Sequence, residues 1–515
     1  MPTGGTPWMR TVRALRAEAQ EAVPVAPADS PTRRGVLRGA LAAGGALAAT
    51  AMLPASAEAM GRQTPHDARI VVVGAGLAGL TCAYRLAQQG VRVRLFEARD
   101  GRVGGRCWSA RGFASGQVAE HGGEFIDTRH VHIRKLATEL GLSLDDREAA
   151  EPDGDGVLYL QGVRAVRDVY RDMPVVQRRI EADAKRIGSY TAAQASRAAR
   201  AFDEMSMRDW LDANVPGGSS SLLASAIGMS AAGFFGSDPE DLSAINLIEQ
   251  YVAPDPGADD RYHTRGGNDL IPNQLAARLP KGTVRFDAPL LAVRKRGTVY
   301  ELKFSGTPKP VVADRVVFAL PFTALRRTDL TASGLSTRKR DAIEHHGMGT
   351  NAKLLLQFRE RFARHGWSGS LQCDVPQRGS WDSSATQGGP EGLLTIFNGG
   401  HAGASYPAAQ AHGTAPAYVV KEALEFIDRL VPGMAGAYNG RSWLDSWVDD
   451  PWTHGSYASF APGQYTKYWG CSGIAEGALH FAGEHTSTHS QGYLNGGVES
   501  GERAAREVLA ALRQR

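Results

Sequence analysis

The chain has 515 residues, 60 of them glycine, with 43% hydrophobic and 22% charged residues; this is a globular composition, long enough for two large lobes. The formal net charge is +4, and residues 1–57 hold six arginines against three acidic residues, so the remainder stands at +1. That balance excludes an electrostatic case for nucleic acid or an anionic membrane surface, and four scattered cysteines exclude a disulfide framework or a cysteine metal cluster.

The first element in chain order is a targeting pattern. In "PTRRGVLRGALAAGGALAATAMLPASAEA" the pair Arg33 and Arg34 precedes an uncharged Ala/Gly/Leu stretch from Gly39 to Ala57, and Ala55 and Ala57 fit an A-x-A cleavage site. The order resembles a bacterial twin-arginine signal over residues 1–59, which implies export by the twin-arginine machinery to the periplasm or the medium. A short amphipathic helix with a basic flank is the alternative. The leader before Arg33 is long for such a signal, which leaves the true start open. No later stretch reaches the roughly eighteen apolar residues of a membrane span, so stable membrane insertion is not expected.

Next comes "ARIVVVGAGLAGLTCAYRLAQQGVRVRLFEARD". Ile70 to Val73 reads as a fully apolar strand, and Leu80, Ala83, Tyr84 and Ala87 recur at helical spacing. A second strand alternates up to Glu97. Between strand and helix stands Gly74-Ala75-Gly76-Leu77-Ala78-Gly79. Gly74 permits a tight turn, Gly76 lets backbone approach a pyrophosphate, and Gly79 lets helix pack on strand. The phosphates would sit at the helix N-terminus, around Leu77 and Ala78, where amides and dipole favour negative charge. Glu97 can accept ribose hydroxyls. Strand, loop, helix, strand and acid in order point to a dinucleotide site, with NAD and FAD both open. Cys82 reads as an inert small hydrophobe on that helix.

"EARDGRVGGRCW" then places Arg99 and Arg106 around the pair Gly104 and Gly105. "EHGGEFID" adds Gly122 and Gly123, followed by Glu124 and Phe125. Short strands return in "GTVRFDAPLLAVRKRGTVYELKF" and "ADRVVFALP". "GTNAKLLLQF" alternates, with Ala352, Leu354, Leu356 and Phe358 on one face and Lys353, Leu355 and Gln357 on the other. On this segment alone Lys353 reads as a gatekeeper on an edge strand. "WTHGSYASFAPGQY" carries Ser456 and Tyr457. The last stretch, "LHFAGEHTSTHSQGYLNGGVESGERAAREVLAAL", reads as a strand from Leu479 to Ala482, then Gly483 and Glu484, a loop, and a helix with an apolar stripe of Ala505, Val508, Leu509 and Leu512.

These motifs together resemble the flavin-containing amine oxidases, the family of monoamine oxidase, polyamine oxidases and L-amino acid oxidases. The resemblance covers nearly all the chain after the leader. The family's glycine motif matches Gly74–Gly79. Its E-A-R-x-R-x-G-G-R matches Glu97 to Arg106 with one extra position at Gly101. Its F-A-G-E matches Phe481–Glu484, and its G-Y-x-x-G-A-V-E-S/A-G matches Gly492–Gly501 with Gly497 where alanine is common. It implies an α/β architecture: a Rossmann-type FAD-binding domain interleaved with an α+β substrate domain. FAD segments would span 68–145, 262–330 and 475–515, and substrate segments 146–261 and 331–474. The resemblance assigns FAD contacts to Gly74, Gly76, Ala78, Gly79, Glu97, Arg99, Gly105, Arg106, Gly123, Glu124, Phe125, Val284, Gly483, Glu484, Tyr493 and Leu494.

The same resemblance gives Lys353 a second reading. It falls on a family lysine that holds a water at flavin N5, where positive charge would also favour the reduction of oxygen. Ser456 stands where monoamine oxidase carries a flavin-bonded cysteine, so FAD is expected to be non-covalent. Tyr457 and Tyr493 stand where family aromatics wall the amine before the flavin. The implied reaction takes a hydride equivalent from the amine α-carbon to give an imine, which water hydrolyses, with O2 reduced to hydrogen peroxide. No metal is needed, and no catalytic role is assigned to His121, His454, His485 or His489.

The substrate stays open. The carboxylate-binding arginine of the better-known L-amino acid oxidases would follow the third glycine pair, where this chain has Phe125; another arginine would have to serve. A polyamine would need buried acids, for which Glu124, Asp238, Glu240 and Asp241 are candidates. A carotenoid-type desaturase and a flavin-binding scaffold without turnover are rival readings. A homodimer is left open, as is a Cys373–Cys471 bridge, which nothing in the spacing supports.

Overall fold

The computed structural model describes residues 68–150, 154–252, 257–375, 379–406 and 410–514. The export signal expected around Arg33, Arg34, Ala55 and Ala57 lies outside these residues. Two large sheets are built from β1 (Ile70–Val73), β2 (Val93–Phe96), β3 (Asp155–Tyr159), β4 (Val284–Arg285), β5 (Arg315–Phe318), β6 (Ala352–Phe358), β7 (Trp367–Cys373), β8 (Gly379–Asp382), β9 (Gly392–Asn398), β10 (His412–Gly413), β11 (Tyr438–Ser446) and β12 (Leu479–Phe481).

The first sheet has the order β12-β5-β1-β2-β4, and every pairing is parallel. Parallel neighbours need a crossover, which helix α1 (Leu77–Gln88) provides between β1 and β2. β1 is apolar throughout because both its faces are covered: Val71 and Val73 join one core, Ile70 and Val72 the other. That second core also takes Leu80 and Ala83 of α1 with Ala505, Val508 and Leu512 of the C-terminal helix α2 (Leu494–Arg513). A Cβ on Gly501 would fall 2.3 Å from the Ala78 carbonyl, so glycine is what lets α2 close on α1. The five strands come from the stretches 68–145, 262–330 and 475–515.

The second sheet is largely antiparallel, in the order β10-β11-β6-β9-β8-β7-β3. Here the structure corrects the edge-strand reading of Lys353. β6 is an inner strand, paired along its length with β9 on one side and β11 on the other, and all seven of its residues are buried. Leu354, Leu356 and Phe358 pack under the helix Ala417–Leu430. Leu355 packs against Ala110, Phe113 and Ala119 on the opposite face. Gln357 donates to Gln117 Oε1 (2.9 Å) on that same face. The alternation is real, but both faces are covered, so Lys353 has no wet side.

The structure answers the question the sequence leaves open at Cys373 and Cys471. The two thiols are unbridged, and they lie in different core clusters. Burial pushes the Cys82 thiol up to about 12, as an inert core residue requires. Among the described residues no helix is long and apolar enough to cross a membrane.

Two histidines make the fold acid-sensitive. His346 and His485 are buried, and burial lowers both, His346 to about 3. A histidine depressed in the folded state binds its proton only after unfolding. Its stabilisation is therefore full above the ordinary histidine range and is lost as pH falls. His346 packs on Phe460 and Phe322, so His346→Phe should fill the same space. Thermal melting from about pH 7 to about pH 4.5 should show a shallower acid slope for His346→Phe, by at most ~1.4 kcal/mol per pH unit. Parallel curves for parent and variant would contradict this.

Candidate active site

The nucleotide end is set by three glycine loops that converge. Gly74 takes φ +99°, and a Cβ there would lie 2.8 Å from the Ala319 carbonyl. A Cβ on Gly79 would lie 1.9 Å from the Gly74 carbonyl, so both positions are fixed by packing. Gly76 differs. A Cβ there would meet nothing within 4 Å, so this backbone faces open space. Gly76 is also the N-cap of α1, with no side-chain cap and no acid in the first turn, which leaves the amides around Ala78 for a ligand. The second loop lies alongside: the Gly104 amide donates to the Ala75 carbonyl (2.9 Å), and Gly105 approaches Gly76. Val284, half-buried on β4, pairs with Leu95 at the end of the sheet.

Glu97 and the arginines hold one another in place more than the sequence indicates. The Glu97 carboxylate accepts from the Ala75 amide (2.7 Å) and the Arg99 amide (2.9 Å), which leaves lone pairs for ribose hydroxyls. Arg99 forms an ion pair with fully buried Asp450. Arg106 donates to Glu484 Oε1 (2.8 Å) and to the Ser456 carbonyl (2.6 Å). Glu484, which follows Gly483, also accepts from the Gly492 amide (2.8 Å). Arg102, which the sequence reading passed over, has unused donor capacity. Its Nη1 donates to the Gly105 carbonyl (2.9 Å), its guanidinium lies 4.2 Å from the Trp108 ring centroid, and its buried Nη2 has no partner. Burial lowers it to about 10. The open space at Gly76, the uncapped α1 and this orphaned N–H fit the phosphates of FAD.

The reaction end gathers around Lys353. Its Nζ donates to Glu124 Oε2 (2.8 Å) and to the Glu120 carbonyl (3.0 Å), and it lies 5.4 Å from the Trp381 ring centroid. Burial would raise the Glu124 carboxyl, but Lys353, Arg147 and the Trp381 N–H together hold the group below the usual carboxylate range. Glu124 Oε1 accepts from Trp381 Nε1 (2.8 Å) and the Ser383 hydroxyl (2.9 Å). Glu120 is a second buried carboxyl, pushed up to about 8 by burial. Neither Trp381 nor Ser383 carries a motif that would have exposed it in the sequence.

Two further chain segments meet this group. Asn351, two residues before Lys353, accepts the Ser456 hydroxyl (2.6 Å), and the neighbouring Tyr457 hydroxyl donates to the Gly233 carbonyl (2.7 Å). Phe234 lies 6.2 Å from the Tyr493 ring, centroid to centroid, and Tyr493 caps α2. Leu494 fills the space where a Gly123 side chain would be. Burial raises both tyrosine pKa values, so both phenols are neutral. Tyr457, Tyr493 and Phe125, on loops, and Trp381 and Phe397, on β8 and β9, are each only half-buried. Glu240 and Asp241, by contrast, are exposed, and Asp238 caps their short helix and accepts from the His401 amide (2.6 Å).

A family model described as flavin containing amine oxidoreductase matches residues 77–509. The chain belongs to this family. It is an oxidoreductase acting on amines, and FAD is its cofactor. The flavin amine oxidoreductase is 29% identical over 474 residues to the Mycobacterium tuberculosis protein named flavin-containing monoamine oxidase AofH, covering 87% of this chain and 98% of that one. It is 24% identical over 475 residues to the L-amino-acid oxidase of Demansia vestigiata, covering 87% and 88%. The solved structure of a putrescine oxidase bound to putrescine superposes with a TM-score of 0.74 at 23% identity, over 86% of this chain and 99% of that one, which shows a shared fold.

Proposed function

We propose that this enzyme oxidises a primary or secondary amine at the carbon that bears nitrogen. The product is an imine that water hydrolyses, and O2 is reduced to hydrogen peroxide. The observation that carries the reading is Lys353: a cation on an inner strand, held by Glu124 beside Trp381. Bound FAD supplies the two-electron acceptor. The chain supplies the rest. Tyr457, Tyr493 and Phe234 offer aromatic faces that orient an amine nitrogen and exclude water. Lys353 places positive charge where water is held or oxygen gains electrons. With Ser456 in the tether position, FAD is held non-covalently; acid precipitation should leave the yellow colour in the supernatant, and colour in the pellet would contradict it. The pattern at Arg33, Arg34 and Ala57 supports twin-arginine export, and normal secretion of an Arg33→Lys, Arg34→Lys variant would refute it.

An L-amino acid substrate is the second reading, and Arg147 favours it. Its guanidinium lies 4.3 Å from the Phe125 ring centroid, and its Nη1 donates to the Asp260 carbonyl (3.1 Å). Burial lowers its pKa despite Glu124, Asp260 and Asp382 nearby. A peroxide assay over amines and amino acids separates the readings. Turnover of amines, unchanged by Arg147→Met, supports the first. Turnover of amino acids, with KM raised roughly tenfold or more by Arg147→Met, supports the second. Peroxide from neither class would sink both.

A further inference from the structure

A buried chain of alternating charges joins the two loops that flank the cofactor site. Arg99 pairs with Asp450 Oδ2, which also meets His412 Nε2 (2.9 Å). His412 Nδ1 meets Asp445 Oδ1 (2.7 Å), and Asp445 Oδ2 meets His121 Nδ1 (2.9 Å). Trp443 Nε1 also donates to Asp445 Oδ1 (3.1 Å). Both aspartates are fully buried. Rings enclose the chain: Trp108 lies 3.7 Å from His121 and 5.2 Å from His412, and Trp447 lies 4.7 Å from His412, centroid to centroid.

Each end of the chain reaches a cofactor loop. Arg99 gives its amide to Glu97 at the end of β2. His121 gives its amide to the Trp108 carbonyl, while its own carbonyl accepts Trp447 Nε1 (2.9 Å). The next residues, Gly122 and Gly123, press on the Arg106 carbonyl and on Leu494, where α2 begins. β10, β11 and the turn after β11 thus hold the glycine loops through a chain of five side chains, and His412 is the middle link.

We propose that His412 is a positioning residue whose imidazolium form, donating Nδ1–H to Asp445 and Nε2–H to Asp450, holds Arg99 and the Glu120–Glu124 loop in their FAD-binding places, so that FAD retention weakens as the medium becomes alkaline. This rests on FAD being the family's cofactor. The groups that face His412 are Asp445 from β11, Asp450 from the following turn, and His121 from the third glycine loop. Arg99 and Arg102 face Asp450 from the loop after β2. His454 also interacts with Asp450. Lys353 lies opposite Asp445 in the β6–β11 register, but its ammonium turns to Glu124. Burial alone would lower His412, yet the two carboxylates raise it above the ordinary imidazole value, whereas burial keeps His121 below it. A histidine raised in the folded state stabilises fully below its ordinary value and loses that contribution as pH rises through the raised one. Loss of the proton would leave two buried carboxylates facing a neutral ring.

The test is FAD release from purified holoenzyme, read as free-flavin fluorescence after ultrafiltration, from about pH 6 to about pH 9.5. The parent should retain FAD at the acid end and release it at least about tenfold more readily at the alkaline end. His412→Gln keeps hydrogen-bonding atoms but no proton to lose; it should release FAD readily throughout, with a flat profile. If that variant does not fold, the double variant His412→Gln, Asp445→Asn restores the charge balance and decides alone. It should retain FAD with no alkaline loss. A flat profile for the parent, or an alkaline loss in either variant equal to the parent's, would overturn the proposal.

Discussion

Lys353→Met should slow flavin reduction by amine, or reoxidation by oxygen, by at least roughly tenfold, the equivalent of ~1.4 kcal/mol in the barrier. The variant should still take up FAD, because the glycine loops and Arg102 lie elsewhere. Its stability should also fall, and this is where the structure changes the expectation. On an edge strand the substitution would cost little. On β6 it leaves Glu124 buried beside Trp381 and Ser383 without its cation, a loss of about 3–5 kcal/mol for breaking a buried pair. The double variant Lys353→Met, Glu124→Gln removes both charges and should recover much of the melting temperature while staying slow. Stopped-flow traces of both half-reactions, beside melting curves, separate chemistry from folding. Unchanged rates in a folded, FAD-loaded variant would return Lys353 to a purely structural role.

Gly76→Val should cost at least roughly a hundredfold in FAD affinity, about 2.7 kcal/mol, while the FAD-free protein melts as the parent does. The backbone at Gly76 is extended, with φ −70° and ψ 178°, which valine adopts freely. Its Cβ would meet no protein atom within 4 Å, and the side chain would occupy the open space where the pyrophosphate must approach. Gly79→Ala gives the opposite pattern. Its methyl would run into the Gly74 carbonyl at 1.9 Å, so α1 must shift and the fold should lose about 1–3 kcal/mol before any ligand is added. Equal FAD affinity for Gly76→Val and parent would place the phosphates somewhere other than this loop.

The contrast between these glycines marks what a sequence can disclose. Strand β1, helix α1 and strand β2 were legible because each is specified locally: an apolar run, a glycine turn, a helical period and an alternation. The stripe of Ala505, Val508, Leu509 and Leu512 on α2 was legible for the same reason. β6 was misread because period-2 alternation reports two faces, not whether water reaches either; what covers the Lys353 face is the stretch from Ala110 to Glu124, far away in the chain. Arg99 was expected at the nucleotide, but its partner Asp450 stands 351 positions further on, and no local pattern links them. Arg102 could have been found from the family motif itself, once Gly101 was treated as the extra position. Trp381, Ser383, Arg147 and the His121–His412 chain have no local signature at all. They become visible only where sheet and loop meet.

The proposed transfer of electrons from an amine to FAD takes place in a site built by Lys353, Tyr457 and Tyr493. Its most direct test is to mix FAD-loaded protein with a panel of amines and amino acids under nitrogen and follow the flavin absorbance. Bleaching by at least one of these compounds, restored by admitting oxygen with hydrogen peroxide formed in step, is the predicted result. A flavin band that stays unchanged across a broad panel, in protein shown to be folded and loaded, would contradict it.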